Sequence, residues 1–217
     1  MTDGRNSAGR LITFEGGDGS GKSTQLRMTE TWLSEQGYKV RVTHEPGDTQ
    51  LGKEIRRLLL EGEYTPVPEC ELLMFLADRA QHVREVMMPA LKAGEWVLCD
   101  RYSDSTMAYQ LAGRKLADLQ GLGSMLNFAE LGVSPDLTLW FDLPVTEALH
   151  RIRSRSSMGE ASTRLDEESQ SFHESVHAAF AKLHSVHSDR ISRIDASEAI
   201  DRVQQQIQSV FTERGLV

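Results

Sequence analysis

The chain has 217 residues, 39% hydrophobic and 26% charged, with 17 glycines and only 6 prolines. Such a composition excludes collagen-like, low-complexity and disordered classes, and a single domain of this length buries enough surface to need no disulfide or metal staple. A net charge of −8 argues against nucleic-acid polymers or a membrane surface as partners, since both demand a basic face, yet it leaves room for a local arginine cluster around a phosphate.

The polar start MTDGRNSAGR reads as a mobile tail over residues 1–9 and not as a secretory signal, so the expected compartment is the cytoplasm. Leu11–Phe14 is a short apolar run that ends at Glu15 and a glycine-rich turn. A helical pattern follows over Lys22–Gln36, closed by Gly37, and Tyr38–Thr43 alternates as a second strand. His44–Asp48 is a turn, and Leu51, Ile55, Leu58 and Leu59 have the helix period. Pro66 and Pro68 precede a helix carrying Leu72, Leu73, Phe75 and Leu76; another helical pattern through Met87 and Leu91 stops at Gly94. Trp96–Cys99 and Leu137–Phe141 are unbroken apolar runs, as expected of parallel strands covered on both faces, and Ile191–Ile194 is a weaker one. Ile200, Val203, Ile207 and Val210 make a closing amphipathic helix. Cys70 and Cys99 lack metal or disulfide spacing and are expected to be buried structural thiols. The stretch 151–164, RIRSRSSMGEASTR, breaks the pattern with four arginines and little apolar matter; a mobile lid over 151–166 is the expectation.

Five strands alternating with helices predict one α/β domain over 1–217, an open parallel sheet with helices on both faces and a short arginine-rich lid. Ligands in such sheets sit beyond the carboxyl ends of the strands, where Glu15, Glu45, Asp100, Arg101, Asp142 and Asp195 fall. The first strand turn, Gly16-Gly17-Asp18-Gly19-Ser20-Gly21-Lys22-Ser23, fits GxxxxGK[ST] in the strand–helix context that a P-loop requires. Its glycines let backbone N–H groups turn inward around phosphate oxygens, and the helix N-terminus adds its positive end. Lys22 then meets the outer phosphates and Ser23 is placed to coordinate Mg²⁺. The motif is silent on what receives the phosphate.

Five segments speak to the acceptor: GGDGSGKST, HEPGDTQLGKEIRRLLLEG, LLMFLADRAQHV, CDRYSDSTMAYQ and PDLTLWFDLP. In order and approximate spacing they resemble bacterial thymidylate kinases, from about Leu11 to Ile194. The resemblance implies a P-loop NTPase-type fold, ATP and dTMP as substrates, Mg²⁺ with ATP, and a homodimer; the candidate interface is Val67–Leu76 and Leu122–Leu131, where apolar residues exceed what one helix face needs. The alternatives are a P-loop kinase of another nucleotide or small metabolite, and a nucleotide-binding switch with no acceptor.

By the same resemblance Gly16, Gly17, Asp18, Gly19, Ser20, Gly21, Lys22, Ser23 and Thr24 hold ATP, with Lys22 catalytic. Phe75 stacks on the base and Arg79, one turn on, meets a base carbonyl. Arg56 and Arg101 grip the acceptor phosphate, Arg101 being also catalytic. Thr106 and Gln110 touch the pyrimidine edge, Tyr109 lies near the sugar and Asp18 near its 3′-hydroxyl. Ser23 and Asp100 are the metal candidates, Asp100 either through water or by orienting Arg101. Glu45 acts on Mg²⁺ or on an acceptor oxygen. Eukaryotic members carry an arginine where this chain has Gly19, so the catalytic charge is expected from Arg151, Arg153 and Arg155 of the lid. Arg164 is set aside, because Thr163-Arg164 followed by Asp166 departs from the usual Asp-Arg…Glu. His44 also stands where an arginine is common.

Overall fold

The computed structural model describes residues 9–61, 64–117, 119–159 and 162–217. The expected tail, apart from residue 9, and residues 160–161 of the expected lid lie outside that set. Five strands form one sheet: β1 (Arg10–Glu15), β2 (Val40–His44), β3 (Trp96–Asp100), β4 (Leu137–Asp142) and β5 (Ile191–Asp195). All pairings are parallel and the order is β2-β3-β1-β4-β5. The helices are α1 (Lys22–Glu35), α2 (Gln50–Arg56), α3 (Pro68–His82), α4 (Met88–Lys92), α5 (Ser103–Thr106), α6 (Leu122–Glu130), α7 (Val145–Ser157), α8 (Gln170–Val186) and α9 (Ile200–Glu213). Among the described residues, three π-helical segments, Arg57–Glu61, Val83–Met87 and Met107–Gly113, continue α2, α3 and α5.

The apolar runs form strands because both faces of the sheet are covered. Along β1, successive residues enter opposite cores, as the strand's two-residue period dictates. Ile12 and Phe14 join Leu98, Leu139 and Phe141 against Leu26 and Leu33 of α1 and Ile207 and Phe211 of α9. Leu11 packs on the other face with Val97, Cys99, Val83 and Met87. A further cluster on that side joins Trp140 and Ile191 to Tyr109 and to Val176 and Phe180 of α8. Truncating a buried phenylalanine such as Phe14 costs about 3–5 kcal/mol, a large part of a domain's net stability.

Three expectations need adjustment. Tyr38 lies outside β2, because its backbone N–H turns back to donate to Leu33 O at 3.2 Å and closes the end of α1. Cys99 is buried but Cys70 is exposed, since it points outward from the first turn of α3. The arginine-rich segment begins as the last two turns of α7, which runs regularly to Ser157 around the buried Leu149 and Ile152.

Candidate active site

The carboxyl ends of β1, β2 and β3 converge, with Asp100 in register with Phe14 and with His44. The glycine-rich turn follows β1 directly. Gly16 adopts φ 136°, and a Cβ there would lie 2.6 Å from the Phe141 carbonyl oxygen, so only glycine lets the loop leave the sheet so close to β4. Lys22 is nearly buried and reaches back to the loop's own carbonyls, donating to Gly17 O at 2.8 Å and Gly16 O at 3.1 Å. Burial, and then the nearby Arg101 charge, lower its pKa to about 8, against the pull of Asp100, Asp18 and Glu15.

One residue on, Ser23 Oγ donates to Asp100 Oδ2 at 2.9 Å. Asp100 Oδ1 is buried and has no hydrogen-bond partner. A hydroxyl and a half-satisfied carboxylate beside a phosphate loop suit a hard cation that takes its remaining ligands from phosphates and water. Among the described residues no group of three or more His, Cys, Asp or Glu side chains could hold a metal on its own.

Arg101 sits in the left-handed region at φ 70°, which turns the chain off β3 and aims the guanidinium across the loop mouth. Its Nη1 donates to Gly16 O and Ser105 Oγ, both at 3.1 Å. Its Nη2 donates to Asp18 Oδ1 at 2.7 Å and to the Tyr109 hydroxyl at 3.1 Å, and that hydroxyl donates on to Asp18 Oδ2 at 3.0 Å. Desolvation alone would raise the Asp18 carboxyl; Arg101 and Lys22 outweigh it and hold the group well below the usual range. Beneath Arg101, Ser105 Oγ donates to Glu15 Oε2 at 2.5 Å, and burial followed by the Asp104 charge raises Glu15 to about 7.

One cavity of about 1210 Å³ runs from the glycine-rich loop past Arg101 to Arg56, Phe75, Arg79, Thr106, Tyr109 and Gln110. Arg79 lies under the Tyr102 ring and is 2% exposed, with Nε donating to Glu45 Oε2 at 2.8 Å. Its Nη1 is buried with no partner, a donor awaiting an acceptor. Phe75, four residues earlier, lines the same end of the cavity. Arg56 donates from Nη1 to Pro46 O at 2.9 Å, beside the cis Glu45–Pro46 bond.

Not every expected residue stands at the reacting centre. Glu45 engages both carboxylate oxygens with α3, one on Arg79 Nε and the other on His82 Nδ1, both at 2.8 Å. Arg151 and Arg155 line the main cavity, and Arg151 reaches Gly19 O and Ala196 O at 3.4 Å. Arg153 does not. It lines a separate groove with Leu149, Glu167 and Gln170, because two helical residues lie about 200° apart. Sequence reasoning missed His82, Ser105 and Glu71. His82 follows Arg79 by three residues, a spacing that could have flagged it; Glu71 gives no such local signal.

A family model described as Thymidylate kinase matches residues 14–207. A thymidylate kinase of Nostoc punctiforme is 45% identical over 206 residues, covering 94% of this chain and 95% of the relative. One from Carboxydothermus hydrogenoformans is 48% identical over 175 residues, covering 81% and 84%. Another, from Acaryochloris marina, is 41% identical over 224 residues, covering 95% and 96%. With a match of that extent along a parallel sheet that carries the phosphate loop, the chain belongs to the thymidylate kinase family.

Proposed function

We propose that this enzyme transfers the γ-phosphoryl group of ATP to dTMP, giving ADP and dTDP on the route to dTTP. The observation that carries the reading is the single cavity joining the phosphate loop to the Phe75–Arg79 pocket. In the reaction an acceptor phosphate oxygen forms a bond to Pγ while the bridging β–γ oxygen bond breaks. Such transfer asks the protein for positioning and charge stabilisation more than for covalent chemistry.

Each part of the cavity supports one role. Lys22 leaves the loop carbonyls to meet the β- and γ-phosphates, and the loop glycines wrap them. Ser23 and Asp100 would hold Mg²⁺, which neutralises phosphate charge when bound; the unpartnered Asp100 Oδ1 supports this. Arg101 and Arg56 take the acceptor phosphate, Phe75 stacks on thymine, and Arg79 Nη1 donates to a base carbonyl. Thr106 and Gln110 face the pyrimidine edge. Tyr109 crowds the sugar beside Asp18. Arg151 and Arg155 close over the transferring group from α7, and closure keeps water from accepting the phosphoryl group.

The partners are ATP, dTMP and a second copy of the chain. Exposed Leu73 on α3 and Phe128 on α6, together with Val67 at the start of α3, support a homodimer interface on that face. No helix among the described residues is long and apolar enough to cross a membrane, which is compatible with a cytoplasmic location. The test is an acceptor panel of dTMP, dUMP, dCMP, dGMP and UMP with ATP, with and without Mg²⁺, followed by product analysis. Formation of dTDP as the preferred product supports the reading. Preference for another acceptor overturns dTMP as substrate; ATP hydrolysis that no acceptor stimulates overturns the kinase.

A further inference from the structure

Glu71 lies in the first turn of α3 and is fully buried. Four donors converge on it. Its Oε1 accepts from Gln110 Nε2 at 2.8 Å and from Arg114 Nε at 3.1 Å. Its Oε2 accepts from Arg114 Nη2 at 3.1 Å and from Arg164 Nη2. Arg114 also pairs with Glu168 at 2.6 Å, and Arg164 donates from Nε to Leu59 O at 3.1 Å. Burial works against the Glu71 charge, but the hydrogen bonds from Arg114, Gln110 and Arg164 outweigh it and hold the carboxyl below the ordinary range.

An ionised carboxylate only accepts hydrogen bonds. The Gln110 amide group must therefore turn its NH₂ toward Glu71, which leaves the carbonyl oxygen as the atom the side chain can offer to the cavity. Gln110 is itself buried and lines that cavity beside Phe75, Arg79 and Thr106. We propose that Glu71 is a positioning residue for acceptor selectivity: it fixes the Gln110 amide so that a hydrogen-bond acceptor faces the base. This rests on the dTMP reading above. Thymine and uracil carry an N3–H that such an acceptor can take, whereas cytosine presents a bare N3 lone pair that it repels. Arg79 Nη1 supplies the complementary donor for a base carbonyl, so the two side chains together describe a 4-oxo pyrimidine edge.

The test uses the full chain. In Glu71→Gln the new amide can donate or accept, so Gln110 is free to flip. The kcat/KM ratio of dTMP over dCMP should fall by at least about 10-fold, as expected when a buried acceptor is no longer fixed. The dTMP over dUMP ratio should stay within about twofold, because both bases carry N3–H, and the KM for ATP should not move. Glu71→Asp keeps an obligate acceptor and should restore the dTMP over dCMP ratio. A folded Glu71→Gln enzyme with an unchanged ratio overturns the proposal while leaving dTMP phosphorylation standing; a wild-type enzyme that does not phosphorylate dTMP overturns the functional reading itself. Should Glu71→Gln fail to fold, the wild type still decides. The Gln110 side-chain NH₂ resonance, assigned by its loss in Gln110→Met, should be protected from solvent exchange without dTMP. Rapid exchange there overturns the proposal.

Discussion

Arg101 and Asp18 close on one another over the phosphate loop, with Nη2 2.7 Å from Oδ1 and the Tyr109 hydroxyl bridging both. On the dTMP reading proposed above, the acceptor phosphate arrives at this pair, so each charge answers the other until a ligand competes for the guanidinium. Asp18 thus keeps a partly buried arginine aimed across the loop mouth.

The first prediction separates the two charges. Arg101→Ala removes a charge-assisted contact to phosphate and should weaken dTMP binding by roughly 10- to 150-fold while ATP binding holds. It also leaves the Asp18 carboxylate without its main partner, facing an anionic ligand. Adding Asp18→Asn to Arg101→Ala should therefore recover part of the lost affinity, a coupling that a double-mutant cycle by calorimetry reads directly. Additive losses would show that Asp18 does not balance Arg101.

Lys22 gives a pH dependence whose sign follows from its surroundings. Its folded pKa is about 8, against 10.5 for the ordinary group. Between those values the unfolded chain binds the extra proton, so this group raises stability with increasing pH across the window, and its full penalty is present below pH 8. The unfolding free energy of the wild type relative to Lys22→Met should rise from pH 8 to 10.5. Phosphate binding needs the ammonium, so kcat/KM for ATP should fall above about pH 8. Lys22→Met should be flat there and slower by at least about 100-fold. Matched pH profiles of the two proteins decide, and a wild-type profile with no fall above pH 8 would place the charge elsewhere.

The exposed apolar face supports the third prediction. Val67 is 64% exposed, Leu73 54% and Phe128 77%, although α3 and α6 pack on one another through Leu72, Leu76, Leu122 and Leu126. Leu73→Glu with Phe128→Glu should leave the fold intact and shift sedimentation equilibrium from dimer to monomer. A dimer that survives both charges assembles through a different face.

Much of this architecture was legible in the residues. Trp96–Cys99 and Leu137–Phe141 read as strands because each is a short unbroken apolar run ending at an acid, and the strands extend one residue further, to Asp100 and Asp142. The phosphate loop was legible because glycine and lysine spacing encodes it locally; the Phe75–Arg79 pair came from the family resemblance, which the four-residue spacing supports by placing both on one helix face. What escaped is long-range. Glu45 meets Arg79 across 34 positions, and Glu71 meets Arg164 across 93, contacts that no local pattern carries. One loss is local: Tyr38 donates its N–H to Leu33 O and closes α1 where alternation reads as strand. The fate of Arg153 was readable in principle, since helical period alone turns it from its neighbours, but that inference first needs α7 to run through the arginines.

The last prediction follows from that turn of the helix. Arg151, Arg153 and Arg155 alternate along α7, yet only Arg151 and Arg155 line the cavity. Arg151 is held by Glu147 at 2.5 Å and leans on the loop carbonyl of Gly19. Arg155 is exposed and makes no ion pair among the described residues, so it is the arginine freest to swing onto a transferring phosphoryl group. Gly19 supplies no side-chain charge to the loop, and arginines brought to such a transition state contribute about 10³–10⁵ in rate. Arg155→Ala should then lower kcat by at least about 100-fold with little effect on dTMP affinity, and Arg153→Ala should leave kcat within about twofold. Single-turnover measurements on both variants isolate the chemical step. Equal losses at the two positions would mean that α7 unwinds during closure and presents both arginines, and no loss at either would remove this helix from the chemistry.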